Sequence, residues 1–220
     1  MRIGLVVQDG CFASGVSSLL DVLGAAESAR ATIDASIAPL DVVVAGPSGR
    51  VRTSSGMTVT ATRRLGELGE LDVVVVPAVH TSSGADTEAV LESSGGRRVV
   101  KALRGVDLDG VRVAAACTGV FFLAEAGLVE ARRVTTTWFL TPTFRARYPE
   151  TTVDLDAMVV ADGPVLTAGA AFAHIDLALA LVRAVSVELA HSVARQLLID
   201  ERPSQAAFVA LDHLQHDDPI

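Results

Sequence analysis

The chain has 220 residues, half of them apolar, a formal net charge of −8 and two cysteines. That length suits one domain with a sizeable core; the acidity, without Lys/Arg clusters, and the sparse aromatics argue against direct nucleic-acid binding. No apolar run approaches the roughly eighteen residues of a membrane span, the start M-R-I-G-L-V-V-Q-D-G is broken by Asp9 too early for a signal peptide, and a cytoplasmic protein is expected.

In chain order, the expected strands are Ile3–Val7, Leu40–Ala45, Leu71–Pro77, Val111–Cys117, Arg133–Thr136 and Val165–Thr167. Several are continuous and β-branched (V-V-V before Ala45, V-V-V-V before Pro77), as in parallel strands covered on both faces. Helical patterns fall between them at Gly15–Arg30, Thr87–Arg104, Val120–Ala126, Thr141–Arg147 and Phe172–Ile199. The alternation predicts a doubly wound, flavodoxin-like α/β sandwich of three layers around a mostly parallel sheet. Val51–Thr53 and Met57–Thr60, split by Ser54-Ser55-Gly56, read as a hairpin inserted in that sheet. Residues 1–200 make the domain, and 201–220, opening with Glu201-Arg202-Pro203, read as a linker or tail.

Chemistry concentrates where the strand at Val111 ends in Cys117, turns through Thr118-Gly119 and starts a helix at once, the layout of a nucleophile elbow. Ligands of open α/β sheets bind at the carboxyl ends of strands, so Cys117 is placed in a pocket. The helix N-terminus behind it is expected to favour the thiolate. The same edge gathers Val79 and His80 after the Leu71 strand, Asp9 and Cys11 after the first strand, and Thr137 and Trp138 after V-T-T-T-W. Asp9 reads chiefly as a turn residue, and His174 as a local cap or packing group. His191 lies far along the last helix, and His213 and His216 lie in the tail. Neither cysteine has metal-ligand spacing, so no metal or cofactor is expected.

The run A-A-A-C-T-G-V-F-F-L-A-E-A-G-L-V-E-A-R-R-V-T-T-T-W resembles the ThiJ/PfpI superfamily, with its class I glutamine amidotransferase-like fold. Together with D-G-C-F-A-S-G-V-S-S-L-L-D-V-L-G-A-A, P-V-L-T-A-G-A-A-F-A-H-I-D-L-A-L-A-L-V and E-R-P-S-Q-A-A-F, it is most similar to the N-terminal domains of AraC-type transcriptional regulators, the GlxA-like group. The resemblance implies a homodimeric sensor of a small metabolite, amino or quaternary-ammonium compounds among relatives. DNA contact would come only through a helix-turn-helix pair that follows such a tail and is absent from this sequence.

Catalytic members carry a histidine where this chain has Thr137, an acid near Ala13, Ser14 or Gly15, and a P-G-G loop where it has Pro77-Ala78-Val79. Those departures favour a ligand site made of Cys117, Thr118, Thr137, Trp138, Val79, His80 and Asp9 over catalysis. The alternative is a cysteine-dependent hydratase or amidase, isonitrile-hydratase-like, with Cys117 as nucleophile.

Overall fold

The computed structural model describes residues 1–200 and 202–206. The chain forms β1 (Arg2–Val6), α1 (Ala13–Ile33), β2 (Asp41–Gly46), β3 (Arg50–Arg52), β4 (Thr58–Thr60), β5 (Arg63–Arg64), β6 (Val73–Val76), α2 (Gly84–Glu92), α3 (Ser94–Leu103), β7 (Arg112–Ala116) and α4 (Gly119–Glu125). It continues through β8 (Arg133–Val134), α5 (Thr141–Arg147), β9 (Thr152–Val153), β10 (Val159–Asp162), β11 (Val165–Ala168), α6 (His174–Arg183) and α7 (Val187–Gln196). Seven strands share one sheet in the order β10-β11-β7-β6-β1-β2-β5. Every pairing in it is parallel except β10 with β11.

Strand alternation explains the unbroken valine runs. Val73 and Val75 of β6 point into a core with Ile3, Leu5, Leu19 and Leu177, beneath α1, α6 and α7. Val74 and Val76 point the other way, into a core with Val99, Phe121 and Phe144. Successive side chains leave opposite faces of a strand, so a strand covered on both faces has no position left for a polar residue.

The structure redraws several sequence boundaries. The Thr87–Arg104 pattern is two helices, because Ser93 takes an extended backbone (φ −60°, ψ 160°) and its hydroxyl caps α3 by accepting from Gly96 N–H at 3.0 Å. The Phe172–Ile199 pattern likewise breaks into α6 and α7, where Ser186 caps α7 by accepting from Leu189 N–H at 3.2 Å. The hairpin of β3 and β4 stands as its own two-stranded sheet, outside the main one. Only Arg133–Val134 of the expected Arg133–Thr136 strand pairs, and it does so with β9 in another small sheet. β10 supplies an edge strand that the sequence reading omitted.

β1 neighbours both β2 and β6, so the chain reverses its direction of winding there. The loops after β1 and β6 are zipped together: Phe12 N–H donates to Ala78 O at 2.9 Å, and His80 N–H to Gly10 O at 2.9 Å. The elbow after β7 lies beside them. No helix among the described residues is long and apolar enough to cross a membrane.

Candidate functional site

Cys117 occupies the left-handed region, at φ 54°. A non-glycine residue there is strained and persists only when its surroundings hold it. Two contacts do so: Cys117 N–H donates to Ala168 O at 2.9 Å, and the Thr136 hydroxyl donates to Cys117 O at 2.8 Å. Gly119 completes the elbow, since a Cβ there would lie 2.3 Å from Val76 O. The elbow geometry read from sequence is therefore present, and sterics dictate its glycine.

The expected activation of the thiol is not. Burial pushes the Cys117 thiol up to about 11, against weaker opposing pulls from Thr118 N–H and the Thr137 and Thr118 hydroxyls. The cause is simple: α4 has seven residues, and its field does not offset removal of the thiolate from water. Thr137 lies beside the thiol, yet its Oγ1 makes no well-formed hydrogen bond.

The neighbouring backbone donors are already engaged. Ala78 N–H donates to His174 Nε2 at 3.0 Å. Val79 N–H donates to Thr118 Oγ1 at 2.8 Å, and that hydroxyl donates to Val79 O at 2.6 Å. His174 is fully buried, and its Nδ1 faces Ala171 O. An Nε2 that accepts must leave the proton on Nδ1, so the imidazole is neutral. Burial holds it so, lowering its pKa to about 4. His174 thus ties α6 to the loop after β6, a longer reach than local packing.

A cavity of about 370 Å³ opens over Cys117. Of the expected site residues, Cys117, Thr118, Thr137, Trp138 and Val79 line it; His80 and Asp9 do not. His80 is exposed and its ring lies tilted against Phe12 with ring centroids 5.3 Å apart. Asp9 is exposed and its Oδ1 accepts from Arg52 N–H at 2.8 Å, fastening the β3–β4 hairpin rather than facing a ligand. Both side chains are turned outward by the zipped loops. Cys11 and Cys117 are free thiols, and burial also raises Cys11 to about 11.

Sequence reading missed part of the lining: Phe12, Phe139, Met158, Phe172, Arg202 and Gln205. Phe12 and Phe139 adjoin residues already singled out, so proximity in sequence was a usable signal. Arg202 and Gln205 were assigned to the tail, and no periodicity marks them. Among the described residues, no cluster of His, Cys, Asp or Glu is arranged to hold a metal.

Residues 1–184 match the model of the DJ-1/PfpI family. The chain belongs to the DJ-1/PfpI family. It is 33% identical over 165 residues to the HTH-type transcriptional regulator CdhR of Pseudomonas aeruginosa, covering 74% of this chain and 46% of that protein. It is 31% identical over 151 residues to an isonitrile hydratase of Pseudomonas putida, covering 67% of this chain and 60% of that enzyme. This DJ-1/PfpI chain thus spans about half the length of these two curated relatives. Its fold is shared by an AraC family transcriptional regulator from Pseudomonas putida (TM-score 0.74, 21% identity, 89% of this chain and 98% of that one). Drosophila melanogaster DJ-1beta shares it too (TM-score 0.72, 22% identity, 91% and 98%).

Proposed function

We propose that this chain is the small-metabolite-sensing domain of an AraC-type transcriptional regulator, with a non-catalytic pocket over Cys117. The reading is supported by the regulator relative and rests on one observation. The groups that would make Cys117 attack a substrate are replaced or already bonded. Thr137 stands in place of a base, the thiol is protonated near neutral pH, and the Ala78 and Val79 amides are taken by His174 and Thr118. A nucleophile needs a base or depressed pKa, and its oxyanion needs free donors. The pocket that remains is small, concave and mostly apolar, which suits ligand capture.

In this reading the domain is cytoplasmic and homodimeric. Ligand binding biases the dimer, and DNA contact is made by a helix-turn-helix pair outside this chain. The line between 1–200 and 201–220 is then where sensing hands over to transmission; residues 207–220 lie outside the described residues.

Thermal-shift screening against amino, quaternary-ammonium and amide metabolites tests the sensor. At least one should stabilise the wild type, and its effect should weaken when Trp138 is replaced by alanine. The hydratase relative and the strained elbow favour one second reading, a cysteine enzyme. Alkylation of Cys117 followed against pH separates the two. A sensor thiol gains reactivity only above the usual value of about 8.5, whereas one titrating below 7 would overturn the non-catalytic reading.

A further inference from the structure

Residues 202–206 form a strap fastened to the rim of the cavity at three places. Arg202 pairs with Asp176 and donates to Phe172 O at 2.8 Å. The Pro203 carbonyl accepts from Met158 N–H at 3.0 Å. Gln205 is 2% exposed, and its Nε2 donates to Thr135 Oγ1 at 2.8 Å and Thr136 O at 3.3 Å. A carbonyl only accepts, so the NH₂ end must face Thr136 and the orientation of the amide is fixed.

The other end of that amide is unsatisfied. Gln205 Oε1 is buried without a partner, and it sits there only because residue 169 is glycine, where a Cβ would lie 2.6 Å from it. The Thr137 hydroxyl, on the lining of the same cavity, is buried too and has no well-formed hydrogen bond, only a weak pull on the Cys117 thiol. Buried polar groups are normally bonded, and one left unmet works against the arrangement that buries it. Gln205 therefore half-satisfies a subsite that offers two acceptors, Thr135 Oγ1 and Thr136 O, and one hydroxyl donor, Thr137.

Building on the sensor reading, we infer that Gln205 is a built-in occupant of a carboxamide subsite, and that a neutral ligand bearing a primary carboxamide displaces it. The ligand's NH₂ takes the bonds to Thr135 Oγ1 and Thr136 O, and its carbonyl accepts from the Thr137 hydroxyl. Its apolar body lies among Phe12, Trp138 and Phe172. Among the described lining residues none is a carboxylate, and Arg202 is already neutralised by Asp176. An ammonium would be desolvated there without a counter-charge, and a carboxylate would face two acceptor oxygens. Eviction of Gln205 loosens the strap, so occupancy is reported to the chain that follows it.

Benzamide is the probe, with acetophenone and benzoate as ring-matched compounds lacking N–H donors. Each is titrated by NMR into the 220-residue wild type, Gln205→Ala and Gly169→Ala. Emptying the subsite should tighten benzamide binding by roughly tenfold or more in Gln205→Ala, with no such gain for the other two probes. Gly169→Ala evicts the amide without removing it and should show the same preference. In the wild type, benzamide should speed hydrogen exchange of the Met158 amide, whose acceptor is Pro203. Equal or weaker benzamide binding in Gln205→Ala overturns the inference, as does an equal gain for acetophenone or an unchanged Met158 exchange rate. A metabolite that stabilises the protein without any dependence on N–H donors overturns the subsite while leaving the sensor standing.

Discussion

His174 makes the stability of the fold pH-dependent. Its imidazole is buried, accepts from Ala78 N–H and faces Ala171 O through Nδ1. Protonation forces Nε2 to become a donor pointed at a donor, and burial, outweighing the opposing hydrogen bond to Ala171 O, lowers the pKa from 6.5 to about 4. The folded-state value lies below the unfolded one, so the unfolded chain takes the proton first. The stabilisation is therefore fully present above pH 6.5 and is lost as pH falls towards 4. Between pH 7.5 and 4.5 that amounts to about 2.5 kcal/mol, at 1.36 kcal/mol per pKa unit.

His174→Phe keeps a ring of similar size but does not titrate, and it leaves Ala78 N–H unpaired at a cost of about 1–3 kcal/mol at pH 7.5. Urea unfolding of both proteins at several pH values isolates the effect, because every other titrating group is shared. The wild type's advantage over His174→Phe should fall by about 2.5 kcal/mol from pH 7.5 to 4.5, changing sign where it starts smaller than that. A gap that stays constant across that range would show that the imidazole is not held neutral.

Three further outcomes are expected. Thr118→Val strips the hydroxyl that serves both Val79 N–H and Val79 O and should cost about 2–3 kcal/mol in denaturant unfolding, with Thr118→Ser recovering most of it. Gly119→Ala drives a Cβ to 2.3 Å from the Val76 carbonyl, a backbone atom that has little room to yield; a loss of about 3 kcal/mol or failure to fold is expected by thermal melting. Phe144→Ala empties a fully buried ring position packed edge-on to Phe121 at 4.9 Å and should lose about 3–5 kcal/mol, read by calorimetry.

The sequence by itself determined the layering of this protein. Four consecutive valines in β6 leave no polar face, so that strand had to be buried between two helical layers. The elbow was legible too, because an apolar strand, Cys117, a Thr-Gly turn and an immediate helix permit few other geometries. Helix boundaries were less so. Ser93 and Ser186 each end one apolar pattern by capping the next helix, and periodicity runs across such breaks without registering them.

What only the tertiary structure decided is the state of the site. Whether Cys117 ionises depends on burial contributed by residues far apart in the chain. Whether the Ala78 amide is free depends on His174, 96 positions away. The inclusion of Gln205, 70 positions from Thr135, follows from where the strap crosses the rim. Local sequence encodes period, turn and cap, whereas desolvation and hydrogen-bond satisfaction are properties of the assembled neighbourhood.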